Sequence, residues 1–200
     1  IQLNPAHAYA HTLCGHEYVY NEDFVKAKKC FENALSIDLR HYHAWWGLGN
    51  IFFRQEKYDR AVDHFQKAIS INQRNPVLYT YIGVTLTAKE QYQDAIKYFQ
   101  QSELIDDKYV LNRYQKAVVL MKLEQYEAAL AELEKLRIMN PKEAPIPQLM
   151  GKIYKMMNKI DKAHHYLSVA LELDSKDAQR IKGMIESLHS NNEFNEDNDI

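Results

Sequence analysis

Histidine and cysteine side chains can bind a metal or act in acid, base or nucleophilic chemistry, and three of them share one side of a predicted helix. His7 and His11 are four residues apart, and Cys14 follows three residues later, so all three point the same way. Zinc binds imidazole and thiolate ligands. No second ligand cluster at zinc spacing follows, and His164 and His165 lack a third ligand or an acid at fixed spacing. The sequence therefore predicts no metal site and no cofactor.

Composition and motifs favour a protein-binding role over catalysis. No GxSxG, Walker or GxGxxG motif is present, which predicts a protein that is not an enzyme. The net charge of −2 gives no electrostatic reason to expect nucleic-acid binding, and no apolar run approaches the roughly 18 residues of a membrane span. Two cysteines without CxxC spacing are typical of a reducing compartment. Partners are expected to be proteins or peptides.

Small residues recur every 34 positions, and other residue types recur with them. The small residues are Gly15, Gly49, Gly83, Ala117 and Gly151. The same offset aligns an alanine at 27, 61, 95, 129 and 163, and a large apolar residue at 31, 65, 99, 133 and 167. Self-similarity at a fixed period of this length is typical of an array of stacked helix pairs. We call the first helix of each pair A and the second B.

The repeated pattern resembles the tetratricopeptide family, whose signature is W-x2-L-G-x2-Y followed by A-x3-F. The matching residues are Trp45, Leu48, Gly49, Phe52, Ala61 and Phe65. The resemblance implies an all-α fold, a right-handed superhelical solenoid of antiparallel helix pairs. The small residue lets the helices approach each other, and the later aromatic fills the space between neighbouring repeats.

The register divides the chain into four parts. Residues 1–7 are predicted to end an upstream repeat, five repeats follow over 8–177 (8–41, 42–75, 76–109, 110–143 and 144–177), a capping helix occupies 178–190, and 191–200 form an acidic, disordered tail. Since the chain begins at Ile1 rather than Met, we expect it to be a segment of a longer protein.

Several positions depart from the signature. Repeat four has Arg113 and Lys116 where Trp and Leu are usual. The prolines of EAPIPQ (143–148) must lie at or before the first turn of their helix. In repeat one, His11 and Cys14 occupy the Trp and Leu positions, so both are expected to be buried, which is a further argument against a metal site.

Trp45 and Trp46 cannot both point into one packed face, because neighbours on a helix are about 100° apart. Trp45 holds the signature position. In the family, the second, fifth, ninth, twelfth and thirteenth positions of helix A line the concave groove, which implies that Trp46 faces it. The implied groove residues are Tyr9, Thr12, His16, Val19 and Tyr20 in repeat one and His43, Trp46, Asn50, Phe53 and Arg54 in repeat two, with Glu17 at the border. The alternative is that Trp46 covers an apolar part of the superhelix or packs on another chain.

Acidic residues avoid the predicted A helices. Of the 27 acids in the chain, the segments 7–20, 41–54, 75–88, 109–122 and 143–156 contain only Glu17 and Glu143. The same helices and the loops before them carry ten Lys and Arg residues. A face poor in acid and rich in cations would attract a ligand that bears a carboxylate.

Longer strings resemble one branch of the family more closely. YAHTLCGHEYV (9–19), RHYHAWWGLGNIFFRQEKYDRAVDHFQKAISIN (40–72) and GKIYKMMNKIDKA (151–163) are similar to the C-terminal half of the subunit-three family of the anaphase-promoting complex, or cyclosome. The resemblance implies a non-catalytic scaffold of a ubiquitin ligase, present in nucleus and cytoplasm. Its implied partners are coactivators with C-terminal Ile-Arg tails, other cyclosome subunits, and a second copy bound through upstream repeats.

An Ile-Arg tail needs an apolar pocket, a carboxylate for its guanidinium, and donors for its terminal carboxylate. We assign the apolar pocket to Trp46, Phe53 and Tyr20. The carboxylate for the guanidinium is Glu17, and the donors for the terminal carboxylate are Asn50 and Arg54. Three alternatives stay open: a chaperone adaptor that binds an acidic C-terminal peptide, a paralogous cyclosome subunit, and the substrate-recruiting arm of an enzyme such as a glycosyltransferase.

Overall fold

A computed structural model describes residues 5–174 and 177–189, and this part of the chain contains eleven α-helices and no strand. The A helices are α1 (Pro5–Tyr20), α3 (Tyr42–Arg54), α5 (Pro76–Ala88), α7 (Val110–Lys122) and α9 (Pro145–Met156). The B helices are α2 (Phe24–Ile37), α4 (Tyr58–Ile71), α6 (Tyr92–Ile105), α8 (Tyr126–Met139) and α10 (Ile160–Leu173), and α11 (Ala178–His189) follows. The predicted all-α fold is confirmed. The predicted acidic tail, 191–200, and residues 1–4 lie outside the described residues.

The 34-residue period fixes where each B helix begins. All five B helices start at the repeat-aligned aromatic or isoleucine, from Phe24 to Ile160. The residue two positions before each start has left-handed backbone, as at Glu56 with a φ of 60°. There the amide of Lys57 donates to the carbonyl of Phe52 at 2.9 Å and that of Glu56 to Phe53 at 2.9 Å. These two bonds satisfy carbonyls that the helix end leaves without partners, as in a Schellman cap.

The chain divides into two compact units, 1–112 and 113–200. In the first, the ring of Phe31 lies against both Gly15 of its own repeat and Gly47 of the next. A Cβ at Gly15 would lie 2.7 Å from the Phe31 ring, so only the absence of a side chain allows this approach. The ring is fully buried in a cluster that joins α1, α2 and α3. The predicted roles of the small residue and the later aromatic are therefore confirmed here.

In the second unit Leu167 takes the place of the phenylalanine. A Cβ at Gly151 would lie 2.7 Å from the Cγ of Leu167. Pro145 is in the first turn of α9, as predicted. The helix expected after residue 177 packs on α10 through Ile181 and Leu188, which are fully buried.

The prediction of a buried Cys14 is wrong, since the structure leaves this side chain exposed. The equivalent residue of repeat two, Leu48, is buried because it packs against α2 of the preceding repeat as well as within its own. Among the described residues no helix precedes α1, so Cys14 has only one covered side. Its Sγ accepts a hydrogen bond from Cys30 at 3.7 Å, and burial, followed by the contact with Cys14, raises the pKa of Cys30 to about 11.

The two cations at the signature positions of repeat four meet a carboxylate from helix B. Arg113 Nη1 lies 2.5 Å from Glu132 Oε2, and Lys116 Nζ lies 3.1 Å from Glu132 Oε1. All three side chains are largely buried. Burial raises the pKa of Glu132, but the hydrogen bond from Arg113 and the charge of Lys116 outweigh burial and lower it overall. An ionic contact thus replaces the Trp and Leu packing of the signature.

Candidate peptide-binding face

Helices α1 and α3 lie side by side and run parallel. Tyr9 meets His43 with ring centroids 6.0 Å apart, and His16 meets Trp46 at 5.2 Å. Near the carboxyl ends, Arg54 donates from Nη1 to the carbonyl of Val19 at 3.1 Å. These contacts follow the same order along both helices, which is possible only for parallel neighbours. We call the surface formed by Tyr9, His16, His43, Trp46 and Asn50 the α1–α3 face.

Trp45 and Trp46 have separate surroundings, as their spacing predicts. Trp45 packs against α4 of its own repeat, where its ring lies 4.6 Å from Lys67 Nζ, and against the core cluster of α1, α2 and α3. Its Nε1 donates to the carbonyl of Leu39, in the loop before α3, at 2.9 Å. Trp46 instead contacts rings on both neighbouring A helices, His16 on α1 and Tyr81 on α5, each at 5.2 Å. Its Nε1 is buried and has no hydrogen-bond partner among the described residues.

Three histidines surround this part of the face. Burial lowers the pKa of His16, and the nearby His43 and His41 lower it further. Burial is also the main cause of the lowered pKa of His41 and of His43. The three imidazoles are therefore neutral at pH 7, and they contribute rings and hydrogen-bonding nitrogens rather than positive charge.

Thr12 does not present a group to a ligand. Only 2% of its surface is exposed, and its Oγ1 donates to the carbonyl of Ala8 at 2.9 Å. A threonine hydroxyl on a helix commonly bonds back to the carbonyl four residues earlier, and this choice turns it away from solvent. Val19, at the predicted twelfth position, is buried in the core that joins α1, α2 and α3. We therefore leave Thr12 and Val19 out of the contacts proposed below.

The remaining predicted residues keep to one stripe of α3 and to the end of α1. Asn50 and Phe53 follow Trp46 by four and seven residues and are half-buried like it, which is the spacing of one helix face. Asn50 makes no side-chain hydrogen bond with any described residue. Tyr20 is 79% exposed at the last position of α1, and Glu17 is exposed with its Oε1 3.4 Å from Asn21 Nδ2. Tyr20 and Glu17 thus flank the face rather than close it.

The structure adds Tyr81, which the sequence analysis missed. It is the sixth residue of its A helix, and the family's groove positions do not include the sixth. Burial raises the pKa of its hydroxyl, and the Arg54 charge offsets part of that effect. The large ring of Trp46 could have indicated Tyr81. A ring of that size contacts side chains on both neighbouring A helices, so an aromatic partner on α5 was to be expected as well as one on α1.

The A helices contain almost no acidic side chains. Within the five A helices as the structure bounds them, Glu17 is the one acidic residue, since Glu143 precedes α9. Over residues 5–174 and 177–189, no three His, Cys, Asp or Glu side chains come together as metal ligands. In that same part of the chain no helix is long and apolar enough to cross a membrane.

Comparison with known families defines the class of protein. A model described as "Tetratricopeptide repeat" matches residues 15–77, and a second with the same description matches 86–153 and 120–188. The chain therefore belongs to the tetratricopeptide-repeat family.

Individual relatives indicate which branch of the tetratricopeptide-repeat family this chain resembles. The chain is 40% identical over 188 residues to "Anaphase-promoting complex subunit 3" of Schizosaccharomyces pombe, which covers 94% of this chain and 28% of that protein. It is 43% identical over 198 residues to "Cell division cycle protein 27 homolog B" of Arabidopsis thaliana, covering 98% of this chain and 27% of the relative. The predicted resemblance to the subunit-three family is confirmed. The chain spans less than a third of the length of these relatives.

Solved structures share the fold at low sequence identity. PilW, a type IV pilus biogenesis factor, superimposes with a TM-score of 0.82 at 20% identity, over 92% of this chain and 86% of PilW. YrrB, described as a TPR protein with an unusual peptide-binding site, gives 0.66 at 23% identity, over 86% of this chain and 90% of YrrB. At these identities the likeness shows the fold alone.

Proposed function

We propose that this chain is part of a tetratricopeptide scaffold subunit of the anaphase-promoting complex, and that its α1–α3 face binds the C-terminal Ile-Arg tail of coactivators. The observation that carries the proposal is the stripe of Trp46, Asn50 and Phe53. It combines apolar rings with a half-buried amide that has no partner among the described residues. A few placed polar groups on an apolar wall are typical of a peptide site. The whole subunit promotes cell-cycle-regulated ubiquitination without being the catalyst.

In this proposal each end of the tail has its own partner. The isoleucine packs against Trp46 and Phe53, with Tyr20 at the edge. The terminal carboxylate accepts hydrogen bonds from Asn50 Nδ2 and from the guanidinium nitrogens of Arg54 that do not bond Val19. The arginine of the tail lies beside Glu17. The A helices α1, α3 and α5 contain one acidic residue, Glu17. The face therefore favours a carboxylate, and Glu17 is the counter-ion for the cation of the tail.

The test is fluorescence anisotropy of a labelled peptide ending in Ile-Arg against the wild-type chain and the Asn50→Ala and Trp46→Ala variants. Removing one hydrogen bond to a charged group costs about 1.5–3 kcal/mol, so we expect Asn50→Ala to weaken binding roughly tenfold or more. Asn33→Ala, on the exposed side of α2, is the matched control and should bind as wild type does. Equal binding by all variants would contradict the proposal.

The chaperone-adaptor alternative is tested in the same assay with a peptide ending in Met-Glu-Glu-Val-Asp. Such a peptide needs several cationic or amide donors for its acids, whereas His16 is neutral and Thr12 is buried. We expect it to bind at least tenfold more weakly than the Ile-Arg peptide. The reverse order would favour the adaptor.

The name of the Schizosaccharomyces pombe relative, a subunit of the anaphase-promoting complex, supports partners among the other subunits of that complex. We propose that the whole protein binds other cyclosome subunits, pairs with a second copy through repeats outside this chain, and acts in nucleus and cytoplasm. Imaging of the tagged whole protein tests where it acts, and we expect signal in nucleus and cytoplasm. Sedimentation of the whole protein tests the pairing, and a monomer would contradict it.

A further inference from the structure

The second unit contains a cavity of about 840 Å³ that the α1–α3 face does not use. It lies among α7, α9 and α11, and its apolar lining includes Met121, Leu149, Met184 and Leu188. This volume is within the range of about 300–1,000 Å³ that small-ligand and peptide-anchor pockets occupy. The residues that line it include no Asp or Glu.

Four cations surround the apolar lining: Lys122, Lys152, Lys155 and Arg180. Two of them hold the walls together, because Lys155 Nζ donates to Ser187 Oγ at 2.7 Å and Arg180 Nη2 donates to Gln148 Oε1 at 3.1 Å. Lys122 and Lys152 are exposed and have no carboxylate partner in the part of the chain that the structure describes. The cavity therefore combines an apolar interior with two cations available to a ligand.

We propose that the acidic segment 190–200 of this same chain binds in this cavity, with the ring of Phe194 inside and its carboxylates beside Lys122 and Lys152. The segment reads SNNEFNEDNDI, with four acids, one aromatic and no cation. Its charge and its single aromatic complement the cavity, which offers cations around an apolar interior.

The connection makes this occupant reachable. One face of α11, formed by Arg180, Met184 and Leu188, lines the cavity, and the segment begins two residues after Leu188. Phe194 is six residues from Leu188, a reach of up to about 20 Å when extended. A short tether of this kind gives the segment an effective concentration in the mM range. An anchor of modest intrinsic affinity is then enough to keep the cavity occupied.

The consequence is that the chain blocks its own second site. A peptide from another protein reaches the cavity only after it displaces the segment, or after the acids of the segment are neutralised. This restricts acidic ligands at α7, α9 and α11 without changing the α1–α3 face.

The experiment measures fluorescence anisotropy of a labelled 190–200 peptide against two full-length forms of the chain. One is the wild type, and the other has a neutralised segment with E193Q, E196Q, D197N, D199N and F194A. If the free peptide binds with a Kd on the order of 100 µM, a tethered competitor at about 1 mM weakens its binding about tenfold. We therefore expect the neutralised form to bind the peptide about tenfold more tightly than the wild type.

Two charge reversals in the neutralised form locate the site. Lys152→Glu changes a cation that lines the cavity, and we expect it to reduce binding at least tenfold. Lys182→Glu makes the same change on α11 at an exposed position outside the lining, and it should leave binding within about twofold.

Four results would overturn the proposal. They are equal binding by the wild-type and neutralised forms, no binding by either, equal losses with Lys152→Glu and Lys182→Glu, and a difference between the two forms that disappears on dilution of the protein. The last result would mean that the segment binds a second copy rather than its own chain.

Discussion

Replacing Glu132 with glutamine should destabilise the second unit far more than replacing any exposed acid. Glu132 accepts from Arg113 Nη1 at 2.5 Å and from Lys116 Nζ at 3.1 Å, and its side chain is only 11% exposed. Glutamine keeps the shape but removes the charge that balances two largely buried cations. Breaking a buried pair costs about 3–5 kcal/mol. Since Lys116 is slightly exposed, we expect Glu132→Gln to lower the free energy of unfolding by about 3 kcal/mol, the lower end of this range.

The assay is urea unfolding followed by circular dichroism, with the slope of the transition compared between variants. Glu134→Gln is the control, because Glu134 pairs with Arg137 on the exposed side of the same helix at 2.6 Å. An exposed pair three residues apart on one helix contributes about 0.2–0.5 kcal/mol. A loss for Glu132→Gln no larger than that for Glu134→Gln would refute the reasoning. The triple change of Arg113 to Trp, Lys116 to Leu and Glu132 to Leu restores an apolar contact and should be close to neutral.

Three further predictions concern packing, reactivity and pH. Gly151→Ala places a Cβ 2.7 Å from a buried leucine, so it should lower the free energy of unfolding by about 1–3 kcal/mol. Gly183→Ala meets nothing within 4 Å and should raise it by up to about 1 kcal/mol. Equal stabilities of the two variants in urea unfolding would contradict the packing. With a pKa of about 11, Cys30 should be alkylated by iodoacetamide about tenfold faster for each unit of pH from about 8 to 10. The rate is measured by mass spectrometry, and a rate that levels off below pH 9 would contradict the raised pKa. Burial lowers the pKa of four histidines, His16, His41, His43 and His64. The unfolded chain therefore binds more protons, so the free energy of unfolding should fall as pH drops through 6.5, the ordinary histidine value; an unchanged urea midpoint between about pH 7.5 and 5.5 would contradict this.

Period and residue size were enough to predict the helices and their register. Gly15 and Phe31 recur at fixed offsets because one must be small where the other packs, and such a steric rule is visible in a single sequence. The separate surroundings of Trp45 and Trp46 follow equally simply from the rotation between neighbouring helix residues.

Contacts between helices were harder to predict. The partner of Arg113 is Glu132, on the next helix and 19 residues away, and nothing local indicates it. The residues aligned with Glu132 in the other repeats are Cys30, His64, Tyr98 and Tyr166. Glu132 is therefore the one acid at this position of the repeat, and a comparison across repeats could have indicated it as the partner of Arg113. The burial of Cys14 was mispredicted because burial depends on which neighbouring helix covers a position, and periodicity does not specify that.

The most direct measurement of the central proposal is a double-mutant cycle between Asn50 and the terminal carboxylate of the Ile-Arg peptide. Affinities are measured for free and amidated peptides with the wild-type chain and with Asn50→Ala. If Asn50 donates to the carboxylate, amidation should weaken wild-type binding about tenfold or more and weaken binding to Asn50→Ala less than about threefold. An equal effect of amidation on both proteins would mean that Asn50 and the carboxylate do not interact, and it would contradict the proposed site.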